Sequence, residues 1–274
     1  MFVVTGASGN VGREVLAELV KRGVPVRAVV RDPASTPPIE GAELVRGDLT
    51  EPATIGPALR GADGAFLLPG YTGLAEAART AGVRRIVQLS GGSAGSADLS
   101  NAVTRYMRQS ETEMRETGLE WTVLRPTAFM SNALRWKAQI AAGDVVRLPF
   151  AEVPLALVHP GDIAAVAATA LLEDGHQSMI YRPTGPEALL PEDQVAILAR
   201  ALGRPLRFQA QSNAEAQRSM LQSTPPEYVA AFFDFYVNGS LDETTVRPTV
   251  EDVTGSPART FLEWANRNAP RFDS

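Results

Sequence analysis

The chain has 274 residues, of which 45% are hydrophobic and 21% charged, so an ordinary globular protein of one or two domains is the expected class. A formal net charge of −5 argues against a nucleic-acid partner, because binding a phosphate backbone calls for a basic face. There is no cysteine, which removes disulfides, thiolate metal ligands and cysteine nucleophiles, and two histidines without a HExxH spacing argue against a metal site.

The first element is a strand over residues 2–5, short, apolar and mostly β-branched, as a strand buried on both faces requires. Gly6, Gly9 and Gly12 punctuate the turn that follows, and Val11, Val15, Leu16, Leu19 and Val20 then recur at helical spacing until Gly23. A strand, a glycine turn and a helix start present backbone N–H groups and the positive end of a helix dipole to an anion. A dinucleotide pyrophosphate is the anion expected, held by Gly6, Ser8, Gly9, Asn10, Val11 and Gly12.

A second strand over 24–30 ends at Arg31-Asp32-Pro33. In dinucleotide folds the residue at this strand end faces the adenosine ribose: an acid accepts the 2′-hydroxyl of NAD, and an arginine pairs with the 2′-phosphate of NADP. Arg31 favours NADP, Asp32 keeps NAD open, and Arg27, on the same face of the strand, is expected to share the load. A third strand over 42–46 runs into Gly47-Asp48, ahead of a helix over 53–59 that Asp48 could cap. A fourth over 64–68 brings Leu67, Leu68 and Pro69 to the crevice, and a fifth over 86–90 brings Leu89, Ser90 and Gly91 to it. After a helix over 101–117, a sixth strand over 121–124 leads to Pro126 and Phe129.

Six strands alternating with helices predict a doubly wound parallel α/β sheet. Residues 1–130 are read as the dinucleotide-binding Rossmann domain, and 131–274 as a smaller α+β substrate-binding region packed on it. In that second part the pattern predicts helices at 132–142, 162–172 (capped by Asp162), 191–202, 214–221 and 227–237, with strands at 155–158, 179–182 and 207–210. Two further pieces at 246–255 and 256–268 close the chain. The chain opens on a strand with no charged-then-apolar leader, and no apolar run approaches ~18 residues, so a cytoplasmic location without membrane contact is expected.

TGASGNVG, VRAVVRDP, Gly47-Asp48, AGVRRIVQLS, SETEMRETGLEWTVLRPTAFM and EDVTGSPARTFLEWA, in that order, resemble the NmrA-like branch of the atypical short-chain dehydrogenase/reductases along essentially the whole chain. The resemblance implies contacts from Asp48 and Leu49 to the adenine and an NADPH cofactor. It further implies either a reductase of quinones or triphenylmethane dyes, or a dinucleotide-binding regulator without turnover. Ordinary members of the superfamily use a Tyr-x-x-x-Lys pair and a serine. Here no tyrosine is followed by lysine at that spacing; anchoring on Glu111 puts Val103 and Met107 at the pair, and gapless counting from the fifth strand puts Gly92 at the serine.

Tyr106, one helical turn from Val103, is the candidate catalytic residue, with Ser90, Ser93 and His159 as other possible proton or hydrogen-bond donors. The reading favoured is hydride transfer from NADPH to a quinone-like or conjugated electrophilic small molecule by a monomer or homodimer. A redox sensor of the NmrA type is the alternative, and a sugar-nucleotide epimerase or dehydratase a weaker one.

Overall fold

The structure is a computed structural model describing residues 1–272. In chain order the strands are β1 (Phe2–Val4), β2 (Val26–Val30), β3 (Ala42–Arg46), β4 (Gly64–Leu67), β5 (Arg85–Leu89), β6 (Glu120–Leu124), β7 (Val145–Leu148), β8 (Met179–Tyr181) and β9 (Arg207–Ala210). The helices are α1 (Asn10–Lys21), α2 (Gly56–Leu59), α3 (Leu74–Thr80), α4 (Ala102–Glu116), α5 (Lys137–Ala142), α6 (Pro160–Leu172), α7 (Pro191–Leu202), α8 (Asn213–Met220), α9 (Pro226–Tyr236), α10 (Thr249–Thr254) and α11 (Phe261–Asn268).

Seven strands form one parallel sheet in the order β3-β2-β1-β4-β5-β6-β8, and β7 and β9 form a separate parallel pair. The main sheet is apolar on both faces because each is covered by helices. Alternate residues therefore divide between two cores: Val4, Phe66, Val87 and Leu124 pack with α1 and α6, whereas Val3, Ala65, Ile86 and Val123 pack with α2, α3 and α4. The chain reverses its winding between β1 and β4, where ligands of open α/β sheets bind beyond the strand C-termini.

The region after residue 130 returns to this sheet twice. β8 pairs with β6, and α6, apolar all round its circumference, lies beside α1 on the same face of the sheet, against β4, β5 and β6, and also touches α10. A third core, containing Trp136, Phe261 and Trp264, lies among β7, α7 and α11, with the Phe261 and Trp264 rings stacked at 5.5 Å.

Several boundaries differ from the sequence pattern for local reasons. Residues 155–158 make single bridges, Leu155 to Leu189 and Val158 to Phe129, because a loop engages the segment: Ala156 N–H donates to Glu243 O and the Thr127 hydroxyl to Ala156 O. The helix expected at 53–59 splits into a 3-10 turn, Pro52–Thr54, and α2, since Pro57 has no N–H to continue the ladder. The helix expected at 132–142 likewise becomes a 3-10 segment, Met130–Trp136, followed by α5. Asp162 does not cap α6. His159 does, accepting from Gly161 N–H at 2.8 Å through Nδ1, while Asp162 in the first turn holds Arg259.

Candidate active site

Two cavities open over the C-terminal edge of the sheet. The larger, of about 760 Å³, spans the ends of β1, β2 and β3 and is bounded by Gly6, Ser8, Gly9, Arg31, Asp48, Leu49 and Leu68. Gly6 has φ +64°, and a side chain there would enter Leu68; a Cβ at Gly12 would sit on the Gly6 carbonyl oxygen. The turn itself demands both glycines. Gly9 is different: its N–H donates to Gly6 O at 2.9 Å, and the only atom near an added Cβ would be that oxygen at 3.2 Å. The rest of that space is open cradle. α1 starts there with no side-chain cap and no acid in its first turn, so its first N–H groups are left for an outside anion. These residues fit a pyrophosphate.

At the ribose end Arg31 is exposed, lines the cavity and makes no hydrogen bond or ion pair among the described residues. Asp32, its neighbour, is already engaged, accepting from Ala34 N–H at 3.0 Å. Thr50 donates to Asp48 from its hydroxyl at 2.7 Å and its N–H at 2.9 Å, and these bonds, with a smaller contribution from Arg31, hold the carboxyl below its usual range. It turns the loop after β3 and does not cap α2.

Arg27 does not share this work. Its guanidinium bonds Glu43 at 2.8 Å and the carbonyls of Ala58 and Arg60, at the end of β2 remote from the cavity. The pleat no longer relates it to Arg31, because β2 ends at Val30. The second arginine on this side is Arg46, opposite Val30 in the β2–β3 register; hydrogen bonds from Ser35 and Ala34 hold the Asp32 carboxyl below its usual range, with a small contribution from Arg46.

The second cavity, of about 410 Å³, lies beyond β5 and β6. Ser90, Gly91, Pro126 and Phe129 line it, as do Val103, Met107 and Gly92 at the positions where the Tyr-x-x-x-Lys pair and serine were sought. That wall is apolar. Tyr106 lies here edge-on to Tyr228, ring centroids 6.1 Å apart, and its hydroxyl has no hydrogen-bond partner among the described residues. Desolvation, with a smaller contribution from Tyr228, pushes its phenol up to about 12, so Tyr106 stays protonated.

The side chains of other expected residues do not line the two cavities. Leu67 and Leu89 point into the two faces of the sheet core, Val11 and Gly12 are buried beneath the turn, where only their backbone N–H groups could serve an anion, and Pro69 follows β4 outside both cavities. Asn10 faces a small separate cleft beside His159 and Trp264. His159, nearly buried, is lowered to about 4, first by burial and then by Arg259; it is a neutral cap and no proton donor at neutral pH.

Ser90 belongs to a clamp. It donates to Glu111 Oε1 at 2.6 Å, while Arg125 donates to both Glu111 oxygens at 2.8 and 2.6 Å, and Glu111 is 1% exposed. Removing Glu111 strands a half-enclosed guanidinium and the Ser90 hydroxyl. Glu111→Ala should therefore cost about 3–5 kcal/mol of folding stability, read by urea unfolding. A change below about 1 kcal/mol would mean that the clamp is incidental.

Among the residues of the second cavity that sequence reasoning missed are Tyr236 at the end of α9 and Glu243 in the loop after it. The Tyr236 hydroxyl donates to Glu243 Oε2 at 2.8 Å. Burial is the main cause that raises both groups, and the hydrogen bond between them opposes it at Glu243. Among the described residues, no cluster of three or more His, Asp or Glu is placed to hold a metal ion, and no helix is long and apolar enough to cross a membrane.

A family model for NAD(P)H-binding proteins matches residues 6–174. The chain is similar to a (4-alkanoyl-5-oxo-2,5-dihydrofuran-3-yl)methyl phosphate reductase of Streptomyces griseus subsp. griseus, 39% identical over 280 residues and covering 99% of each protein. It is also similar to the NAD(P)H azoreductase of Xenophilus azovorans, 35% identical over 284 residues and covering 99% of each. Among solved structures, the triphenylmethane reductase of Citrobacter sp. complexed with NADP(H) shares the fold, with a TM-score of 0.78, 21% identity and coverage of 98% of this chain and 100% of that one.

Proposed function

The chain belongs to the family of NAD(P)H-binding proteins and is an NAD(P)H-dependent oxidoreductase; from that premise we propose that it uses NADPH to reduce a planar, conjugated electrophile such as a quinone, a small molecule held in the second cavity. The observation that carries this reading is the apolar and aromatic wall of that cavity, where Val103 and Met107 stand in place of a tyrosine and a lysine. A carbonyl that needs strong acid assistance has no lysine-tuned tyrosine to draw on here, whereas an acceptor that is already electron-poor needs mainly to be held in place. The azoreductase and the oxo-dihydrofuran reductase bear names in keeping with such acceptors.

Bound NADPH supplies the hydride. Toward the cofactor the protein's part is positional: the β1–α1 turn holds the pyrophosphate, Arg31 the 2′-phosphate, and Asp48 and Leu49 the adenosine side. Residues 1–130 carry this binding, and elements after 130 form much of the wall around the acceptor, including Tyr228, Phe232 and Tyr236. The free hydroxyl of Tyr106 orients the acceptor by a hydrogen bond. With NADPH and a panel of quinones and azo compounds, we expect multiple turnover with at least one class. Dinucleotide binding without turnover across the whole panel would instead favour a redox sensor.

A further inference from the structure

We propose that Tyr236 and Glu243 are the proton-delivery pair of the second cavity, with the Glu243 carboxyl feeding a proton through the Tyr236 hydroxyl to the acceptor atom that becomes anionic on reduction. The proposal rests on the reductase reading above.

Three observations on the structure carry it. Both residues line the cavity, and their oxygens are 2.8 Å apart, a distance across which either can be the donor. Glu243 is 6% exposed, a position where a carboxyl is costly to keep without a use or a partner. The pair is held firmly on both sides. The Glu243 backbone carbonyl accepts from Ala156 N–H at 2.7 Å, and the Tyr236 ring packs 5.1 Å from that of Phe150, a non-glycine residue held at φ +54°. Tyr106, by contrast, has no partner from which a lost proton could be restored.

The charged groups facing the pair are Arg135 from the 3-10 segment before α5, Arg182 after β8, and Asp242 beside Glu243. Burial is the largest influence and raises Glu243 above a free glutamate; the Tyr236 hydrogen bond, the Ala128 backbone N–H and Arg182 favour the carboxylate, and Asp242 favours the acid.

In the step, the acceptor's π bond takes two electrons and one hydrogen at its electrophilic end as the dinucleotide is oxidised. Its other atom takes the Tyr236 proton, the Glu243 proton moves to the phenol oxygen, and water reprotonates the carboxylate. The sum is acceptor plus NADPH plus H⁺ giving reduced acceptor plus NADP⁺.

The test uses the full chain, Tyr236→Phe and Glu243→Gln, and 1,4-naphthoquinone labelled with ¹³C at the carbonyls. Bound in the presence of NADP⁺, where no turnover occurs, the quinone should show a carbonyl stretch displaced to lower frequency by the wild type. The Tyr236 share of the displacement should be lost in Tyr236→Phe, leaving only what a Tyr106→Phe control removes, and it should be reduced in Glu243→Gln. With NADPH, kcat should fall at least tenfold in Tyr236→Phe, with the solvent isotope effect altered and the NADPH Kd unchanged. An unshifted carbonyl in the wild type, or kcat and isotope effect unchanged in both variants, would overturn the pair. A shifted carbonyl without NADPH oxidation would refute the reductase reading and leave the hydrogen-bond assignment standing.

Discussion

Gly9→Val should abolish dinucleotide binding while leaving the protein folded. An added side chain at this position meets only the Gly6 carbonyl oxygen within the protein, at 3.2 Å, so the native turn can accommodate it with a small shift. Its branches then fill the space above the uncapped start of α1, where a pyrophosphate must approach the backbone closely. A loss of at least about a hundredfold in affinity, roughly 2.7 kcal/mol, is expected by calorimetry, with near-native thermal unfolding. Gly12→Val serves as the contrast: there the added carbon lands on the Gly6 carbonyl, and stability should fall as well. Native affinity in a folded Gly9→Val protein would remove the cradle assignment.

Arg31→Asp should reverse cofactor choice. The Arg31 guanidinium is free at the ribose end of the larger cavity, and exchanging it for a carboxylate removes a charge-assisted bond to the 2′-phosphate and sets two negative charges against each other. NAD offers only a hydroxyl there and should lose little. One such bond contributes about 1.5–3 kcal/mol, so the ratio of NADPH to NADH affinity should drop by about tenfold to a hundredfold. Adding Arg46→Ala should deepen the change, whereas adding Arg27→Ala should not, because Arg27 is engaged with Glu43 and two carbonyls away from the cavity. Both affinities would be measured for each variant, and an unchanged ratio in the double variant would defeat the assignment.

The inner strands of the sheet were legible in the sequence because they are mostly buried and so appear as nearly unbroken apolar runs between glycine turns. β8 was placed as a strand, but its membership of the main sheet was not foreseen, since three exposed or half-buried residues carry no such run. β7 was missed because four residues between Asp144 and Pro149 give too short a pattern to be distinguished from a loop. The resemblance read from the motifs led to the NAD(P)H-binding family whose model matches residues 6–174.

At the site, legibility followed distance along the chain. The turn from Gly6 to Gly12 and the arginine at the end of β2 could be placed locally, because each position depends only on residues adjacent in sequence. Arg27 failed as a partner because alternation along a strand fixes its face and not how near its end a residue lies. The loop bearing Glu243 has no periodicity, and its approach to Tyr236 depends on how residues 237–243 fold back over the segment around Ala156. Nothing in spacing announces it.

Transfer of deuterium is the most direct measurement of the central claim. NADPH carrying deuterium at the transferable position of the nicotinamide would be incubated with the protein and an acceptor of the conjugated, electron-poor class, and the product analysed by mass spectrometry. A hydride-transferring reductase delivers one deuterium, as deuteride, per NADPH consumed to a carbon-centred acceptor such as an activated alkene, with none acquired from solvent at that carbon. Tight NADPH binding with no deuterated product across acceptors that occupy the second cavity would contradict it.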